Sequence, residues 1–323
     1  MNDQILKILS QQAGDYLSGQ SLAAQLGVSR QAVWKEIKAL RDSGYEIESV
    51  TNRGYRLVSL PPFLNAPAVN AQLRTNILGK ELVVLDSIGS TNEYLKKLGS
   101  EGCKSGTVVA AREQLSGKGR LGRGWVSSRD ESLMFSLLLR PKMAPSEVAC
   151  VTPLTGLAVC KALREETGLD CRIKWPNDII VGSKKLVGIL TEMSAEFDAV
   201  EFIVIGVGIN VDRAEFPAEI AAKATSLFLE TGVRYEKNRL LARVLGQMET
   251  EFLAHDLELS PQALAEYAEL CATLGRTVGF TRNGRPAEGL ATGIDPSGAL
   301  LVKQGDGTVC KVNAGEVTAQ GIY

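Results

Sequence analysis

A stretch of alternating glycines and cations, GKGRLGRGW, occupies residues 117–125. Its glycines let backbone amides approach an anion closely, and Lys118, Arg120 and Arg123 supply positive charge. Such a segment suits a triphosphate or a developing pyrophosphate. The simpler alternative is a solvated surface loop, and this stretch alone does not distinguish such a loop from an anion-binding segment.

The same glycine spacing matches the GxGxxG pattern of dinucleotide-binding folds, but its surroundings do not. A strand-like run precedes it, and a loop and another strand follow, so no helix would face a pyrophosphate. A kinase loop would need valine at Gly124 and an HRD sequence elsewhere, and a P-loop would need GxxxxGK[ST]. The sequence therefore argues against all three nucleotide sites.

Two further segments have residue types that could complete a site. In KWPNDIIVGSKKLVGIL, Pro176 fixes a turn between two strands and is expected to bring together Lys174, Asn177 and Asp178. In VIGVGINV, Gly206 and Gly208 would let another group approach a strand closely. Taken singly, the first is typical of a β-turn and the second of a packing glycine.

The chain has one histidine, His255, which we expect in a surface or capping role. Ser-His-Asp and Cys-His catalysis, HExxH zinc sites and the kinase HRD loop all require a histidine in a defined motif. The six cysteines form no CxxC pair and are interpreted as reduced thiols. These classes of catalytic and metal site are therefore excluded.

The formal net charge is −1, so any polyanion must be bound by a local patch. The N-terminal MNDQILKILSQQ is typical of an amphipathic helix and not of a signal peptide. The longest charge-free run, residues 57–73, contains three prolines and is unsuited to crossing a membrane. We expect a cytoplasmic protein with no membrane partner.

The elements that would carry these residues begin with a helix–turn–helix and a hairpin in residues 1–62. We expect Ser21 to cap a short helix and Ser29 to cap a second helix that runs to about Asp42. The buried face of the second helix is predicted to contain Val33, Ile37 and Leu40. A hairpin with its turn near Asn52 follows, which completes a winged helix-turn-helix.

In a winged helix the start of the second helix reads the major groove. The residues predicted to contact DNA are Ser29, Arg30, Gln31 and Lys35. Trp34 lies off the buried stripe and is expected to pack under the wing. A protein–protein module, or a degenerate winged helix that does not bind DNA, is the alternative.

The remaining chain is predicted to form two more domains after a proline-rich linker at residues 59–67. Residues 66–271 contain helical patterns and strand-like runs that mostly follow one another through short loops, and they predict a mixed sheet with helices on one face. Residues 273–323 contain short strands separated by NGRP, DPSG and GDG turns, which predict a small barrel. The fold class is therefore multidomain α+β.

Four segments in this order, DSIGSTNEYL, GKGRLGRGW, KWPNDIIVGSKKLVGIL and IGVGINV, resemble the bifunctional biotin–protein ligase and biotin operon repressor family. The resemblance covers nearly the whole chain. It implies a class II synthetase-like ligase domain and an SH3-like barrel. It also implies synthesis of biotinyl-5′-adenylate from biotin and ATP, with Mg²⁺ held mainly by the ATP phosphates.

The implied partners are a biotin carboxyl carrier protein with one acceptor lysine, operator DNA, and a second copy in an adenylate-bound homodimer. Residues that match the family's biotin site are Ser90, Thr91, Asn92, Gln114, Lys118, Gly119, Arg120 and Lys185. Residues that match its ATP or adenylate site are Arg120, Arg123, Asn177, Asp178, Lys185 and Asn210. Asp178 would orient the acceptor amine in the second step.

The chain departs from the family pattern at Lys118 and Leu121, where arginines are common, and a lysine cannot make the bidentate contacts of an arginine. Three alternatives stay open at this point. They are a ligase with a vestigial winged helix, a ligand-sensing transcription factor without catalysis, and a lipoate ligase. Lipoate ligases usually carry a histidine in their glycine-rich motif, and here only His255 exists.

Overall fold

The computed structural model describes residues 1–323 with the exception of Ala13, Ser43, Leu60, Pro62, Val126, Phe197, Asn283 and 314–316. The chain packs as two units, one of Met1–Arg74 with Glu236–Ala242 and one of Thr75–Tyr235 with Arg243–Tyr323. Two positions of the expected linker, Leu60 and Pro62, lie outside the described residues. Residues 66–74 pack with the first unit, and 273–323 pack within the second.

The first unit contains the helix–turn–helix and the hairpin predicted from the sequence. Its first elements are α1 (Asn2–Gln11), α2 (Gly19–Leu26), α3 (Arg30–Asp42), β1 (Glu46–Val50) and β2 (Gly54–Ser59). Ser29 caps α3 by accepting from the Ala32 amide at 3.1 Å, as predicted. The predicted cap of α2 was wrong, because the helix begins earlier and Ser18 accepts from the Ser21 amide.

One apolar core holds this unit together. Val33, Ile37 and Leu40 form the predicted buried face of α3 and meet the apolar residues of α1 and the hairpin. A short helix that the sequence did not predict, α4 (Ala66–Gln72), adds Ala68 and Ala71 to the same core. The linker prediction was therefore wrong at its C-terminal end, where the chain is already helical.

The second unit is built on a seven-stranded mixed sheet, as predicted. Its order is β3-β4-β7-β11-β10-β9-β8, in which only the β3–β4 pair is parallel among the described strands. The strands of this unit up to residue 210 are β3 (Leu82–Leu85), β4 (Val108–Ala111), β5 (Gly117–Lys118), β6 (Gly124–Trp125), β7 (Ser132–Leu139), β8 (Cys171–Lys174), β9 (Asp178–Val181), β10 (Lys184–Glu196) and β11 (Ala199–Asn210). The remaining helices are α5 (Thr91–Ser100), α6 (Val151–Thr167), α7 (Ala218–Ala221), α8 (Leu227–Thr231), α9 (Lys237–His255) and α10 (Pro261–Leu270).

Helices cover both faces of this sheet, so the expectation of helices on one face was wrong. Thr152 of α6 bonds to Thr191 of β10 at 2.8 Å, whereas Asn92 of α5 donates to the next residue, Glu192, also at 2.8 Å. Successive strand residues point to opposite faces, which places α5 and α6 on opposite sides. The α5 face is the one that carries the site described below.

The C-terminal part of the second unit is a five-stranded antiparallel sheet of order β15-β14-β13-β12-β16. Its strands are β12 (Thr277–Arg282), β13 (Arg285–Ile294), β14 (Leu300–Lys303), β15 (Val309–Val312) and β16 (Thr318–Ala319). One helical stretch, Pro145–Thr167, is long and apolar enough to cross a membrane, but 72% of its most apolar window is buried inside the protein. That burial is typical of a core helix.

Candidate functional site

A cavity opens on the α5 face of the mixed sheet, between the start of α5, the segment after β4, the β5–β6 hairpin, the first half of β10 and the last part of β11. All eight residues that the sequence matched to a biotin site line it. Asn177, from the second predicted set, lines it as well. Residues from segments up to about 100 positions apart in the chain are thus brought to one site.

The floor of the cavity is a network of buried polar side chains. The side-chain oxygen of Gln114, Oε1, accepts from the Thr91 backbone amide at 2.7 Å and from the Thr91 hydroxyl at 3.0 Å. Ser136 Oγ lies 2.7 Å from Thr91 Oγ1 and 2.5 Å from Asn92 Oδ1. Such a network fixes the donors and acceptors of a small polar pocket before any ligand arrives.

The strand glycines make room for side chains of the protein itself. A Cβ atom on Gly206 would lie 2.3 Å from Asn92 Oδ1, and one on Gly208 would lie 2.7 Å from the Trp125 ring. Trp125 belongs to the hairpin and covers the sheet at Gly188 as well. The close approach predicted at these glycines is therefore made by the walls of the cavity.

The glycine-rich stretch forms a small hairpin in which β5 pairs with β6 and a 3₁₀ turn, Arg120–Gly122, joins them. Leu121 has a φ of 57° at its tip, a left-handed conformation that is uncommon for leucine, and its side chain is 69% exposed. At the base, Lys118 Nζ lies 2.9 Å from Glu93 Oε1 of α5. The unusual lysine of this chain is thus paired with a carboxylate across the cavity mouth.

Arg120 points from the hairpin toward the turn between β8 and β9, where it donates to Asn177 Oδ1 at 3.1 Å. Burial lowers the pKa of Arg120, and nearby Asp178 opposes that effect. Asn177 is held in turn by its own donation to the Ile189 carbonyl at 2.8 Å. A charged hydrogen bond from Arg120 to Asn177 therefore joins the hairpin to the turn.

Lys185 faces the same turn from β10. Its Nζ lies 2.6 Å from Asp178 Oδ1 and 5.8 Å from the centroid of the Trp125 ring. Lys174, at the end of β8, is 8% exposed, and burial lowers its pKa to about 8. Lys174, Asn177 and Asp178 therefore lie together at the turn, as expected from the sequence.

Three residues of the predicted nucleotide set lie outside the cavity lining: Asp178, in the ion pair just described, Asn210 and Arg123. Asn210 is buried at the end of β11 and donates to the Thr225 carbonyl at 3.0 Å, outside the cavity lining. Arg123 follows the 3₁₀ turn with an exposed side chain, and its charge acts on Lys174. The charge of Arg123 therefore acts at the turn between β8 and β9, and not at the polar floor of the cavity.

The predicted DNA-contacting residues lie at the start of α3. Arg30, Gln31 and Lys35 are exposed, whereas the Ser29 hydroxyl is engaged as the helix cap. The expectation for Trp34 was wrong, because its side chain is 57% exposed with Lys38 Nζ 6.0 Å from the ring centroid. Trp34 therefore adds an aromatic surface to the face that carries the cations.

Sequence reasoning missed three side chains that build the cavity and its surroundings. Ser136 sits in the apolar run of β7, Trp125 follows the glycines, and Tyr323 approaches Asp178 from the C-terminal segment. Only Trp125 had a sequence signal, a large aromatic residue directly after small ones. The other two are recognisable only once the strands are paired.

Three family models match the chain. The Biotin/lipoate A/B protein ligase family matches residues 84–210, an HTH domain matches residues 2–56, and the Biotin protein ligase C terminal domain matches residues 273–318. The first spans the cavity residues, and the second runs from α1 to the first half of β2.

Curated relatives and solved structures agree with these matches. The chain is 35% identical over 314 residues to the "Bifunctional ligase/repressor BirA" of Bacillus subtilis (strain 168), which covers 95% of both chains. It is 31% identical over 305 residues to the protein of the same name from Escherichia coli (strain K12), covering 94% of this chain and 93% of that one. The biotin protein ligase of Aquifex aeolicus, solved in complex with biotin and ATP, superposes with a TM-score of 0.63 at 29% identity, over 75% of this chain and 99% of that chain.

Proposed function

The chain belongs to the family of bifunctional biotin ligase/repressors, and we propose that it makes biotinyl-5′-adenylate and transfers biotin to a carrier protein. The acceptor is one lysine of a biotin carboxyl carrier protein. In addition, the N-terminal unit represses transcription in response to biotin. One observation carries the ligase proposal: the eight residues matched to a biotin site line a single cavity together.

The floor of the cavity suits the ureido ring of biotin, which presents both donors and acceptors. Thr91, Asn92 and Gln114 offer hydroxyl and amide groups there, and Ser136 links two of them. The preformed network lowers the cost of ordering the ligand site. This end of the cavity is therefore assigned to the biotin ring system.

The cations at the other end suit the first chemical step. The biotin carboxylate oxygen attacks the α-phosphorus of ATP, and the bond to the pyrophosphate breaks. Negative charge on the phosphate oxygens would be stabilised by Lys185 and Arg120, which line the same cavity. Arg123 and Asn177 are the other members of the set of residues proposed to bind the nucleotide. Asn210 would act indirectly, by holding the segment around Thr225.

Few protein groups in the described residues could hold a metal, since no cluster of three His, Cys, Asp or Glu side chains is found among them. Mg²⁺ would therefore be held mainly by phosphate oxygens of ATP, where it would neutralise part of their charge. Asp178, the carboxylate of the turn, is already paired with Lys185.

In the second step the neutral amine of the acceptor lysine attacks the biotinyl carbonyl carbon, AMP leaves with the electrons of the broken bond, and the nitrogen releases one proton to solvent. We assign to Asp178 the role of orienting that amine, because its carboxylate lies at the end of the turn between β8 and β9. Because the whole reaction needs no covalent enzyme intermediate, the lack of a catalytic histidine is no obstacle. Positioning and electrostatics are enough.

The repressor activity is assigned to the start of α3, where Arg30, Gln31 and Lys35 are exposed. A winged helix usually reads one half of a two-fold operator, so the active form is proposed to be a homodimer loaded with adenylate. The protein would act in the cytoplasm. A ligase whose winged helix does not regulate transcription is the competing proposal.

Two measurements test these proposals. Incubation with biotin, MgATP and a biotin carboxyl carrier domain should raise the mass of the carrier by one biotinyl group, and an unchanged mass would reject the ligase. A gel-shift on the promoter of biotin-synthesis genes should appear only with biotin and ATP present. If the fully adenylate-loaded protein gives no shift, the repressor proposal is rejected and only the ligase proposal stands.

A further inference from the structure

Tyr323 reaches the turn that carries Asp178 from a segment with no assigned role in ligation. Its backbone amide donates to the Ser183 carbonyl at 3.2 Å, beside the turn between β9 and β10. The neighbouring Ile322 is 3% exposed and bridges to Ala319 of β16. The side chain of Tyr323 is therefore held in one place by buried backbone and apolar contacts.

That side chain contacts both sides of the turn. The Tyr323 hydroxyl donates to Asp178 Oδ2, and Lys174 Nζ lies 3.4 Å from the centroid of the ring. Lys174 and Asp178 are paired residues of β8 and β9, so one tyrosine spans the two strand ends. The other oxygen of Asp178 is the one that pairs with Lys185.

The charges around Asp178 make such a restraint useful. Lys185, Lys174, Arg120 and Arg123 all act on this turn, so one carboxylate lies among several cations. A neutral hydrogen bond orients the carboxylate without cancelling its charge. Burial, and then the charge of Asp178, raise the pKa of Tyr323 far above its usual value, so the phenol stays a donor.

We propose that Tyr323 is a positioning residue of the ligase site. Through Asp178 it sets the position of Lys185, and through its ring it shields Lys174 from water. The inference rests on the proposed biotin ligase function. It adds the Gly321–Tyr323 segment to the parts of the chain on which adenylation depends.

Two variants of the full-length protein separate the two contacts. Y323F removes the hydroxyl and keeps the ring, whereas Y323L removes both. The assay is biotin-dependent exchange of pyrophosphate into ATP, with kcat, the KM for biotin and the pH profile measured for each. We expect Y323F to lower kcat about tenfold while the KM for biotin changes little, because misplacing a catalytic group mainly affects the chemical step.

The pH profile reports on Lys174. The groups facing Lys174 are Tyr323, Asp178, Lys185, Arg123 and Lys223. Its pKa of about 8 means that the charged form is lost as the pH rises through 8. Because Lys174 is one of the cations that surround this turn, the exchange rate should decline there. Y323F should keep this decline, whereas Y323L admits water, raises the pKa of Lys174, and should move the decline to higher pH.

A matched control is Y267F, which removes a wholly buried phenol hydroxyl from α10, outside the cavity lining. Its kcat and pH profile should match the wild type. Wild-type kcat in Y323F, even with a lower melting temperature, would assign Tyr323 a purely structural role and overturn the inference. If the wild-type protein itself exchanges no pyrophosphate, the proposed function fails and the inference fails with it.

Discussion

At the scale of single residues, Lys185 is fixed between a carboxylate and an aromatic ring. Asp178 holds its ammonium at 2.6 Å, and the centroid of the Trp125 ring lies 5.8 Å from it. Neither neighbour separates the ammonium from the cavity that Lys185 lines, so its positive charge acts inside the cavity. A cation placed in this way needs little reorganisation when charge develops on the phosphate oxygens.

Replacing Lys185 by methionine should therefore remove most of the adenylation activity. We expect a fall in kcat of about 100-fold or more, as is usual when one preorganised charge-stabilising group is lost. Biotin-dependent pyrophosphate exchange is the measurement.

The adjacent Lys184 offers a matched control, because it is exposed and its strand position points it to the opposite face. K184M removes the same charge one residue away and should leave the exchange rate unchanged. Equal losses in K184M and K185M would mean that general positive charge, and not the position of Lys185, supports the reaction.

The buried floor can be tested by adding one methyl group. In G206A the new Cβ would lie 2.3 Å from Asn92 Oδ1, and Asn92 is 3% exposed and tied to Ser136 and Glu192. We expect a loss of about 1–3 kcal/mol in unfolding free energy, together with weaker biotin binding. Denaturant titration and calorimetry measure the two effects.

Gly246 provides the comparison for that substitution. It lies inside α9, and no described atom is within 4 Å of the position of a Cβ. G246A should therefore stabilise the protein by up to about 1 kcal/mol, because alanine is the better helix former. Unchanged biotin affinity in G206A would show that Asn92 moves freely and is no fixed part of the floor.

The sequence could suggest Ser90, Thr91, Asn92 and Lys185 because each stands in a short motif with a recognisable resemblance. It could not suggest Ser136, since a serine in an apolar strand acquires a role only when the strand register sets it opposite Gly206. Nor could it suggest Tyr323, which lies 145 positions from its partner Asp178. Such residues depend on tertiary contacts that no local pattern encodes.

At the scale of elements, α3 separates a buried apolar face from an exposed cationic one. Replacing Arg30 and Lys35 together by alanine should weaken operator binding and leave biotin transfer unchanged. Each phosphate contact that is lost should also reduce the slope of log K against log salt by about 0.9. Gel-shift titrations at several salt concentrations give both quantities.

The control for α3 is K303A, which removes an exposed lysine from β14 of the C-terminal sheet. This variant should bind the operator as the wild type does. An unchanged affinity and salt slope in the Arg30 and Lys35 double variant would mean that another element makes the DNA contacts.

The long elements of the second unit were predictable, whereas the short helix α4 was not. The apolar runs of β7, β10 and β11 are long enough to be recognised as strands in the sequence, and α9 and α10 have recognisable helical periodicity. The seven residues of α4 are too few for such periodicity. That helix depends instead on its cap, where Asn65 accepts from the Ala68 amide at 2.9 Å, and on burial in the first unit's core.

At the scale of the whole molecule, a net charge of −1 leaves DNA binding to a small number of local cations. One winged helix with a few exposed cations gains only a limited electrostatic contribution from phosphate contacts. Two copies on a two-fold operator act together, since binding of the first copy raises the effective concentration of the second. For the adenylate-loaded homodimer proposed above, repression should therefore depend on dimer formation.

We expect the protein to be monomeric alone and dimeric with biotin and ATP, which sedimentation equilibrium can measure. The dimer should bind a complete operator at least about 100-fold more tightly than a single half-site, as expected for linked sites. K185M should stay monomeric with biotin and ATP, because it makes little adenylate, and should dimerise when a non-hydrolysable biotinyl-adenylate analogue is added. K184M should behave as the wild type does. Tight operator binding by K185M with biotin and ATP alone would separate repression from catalysis, and the two activities would then share a chain without sharing the adenylate.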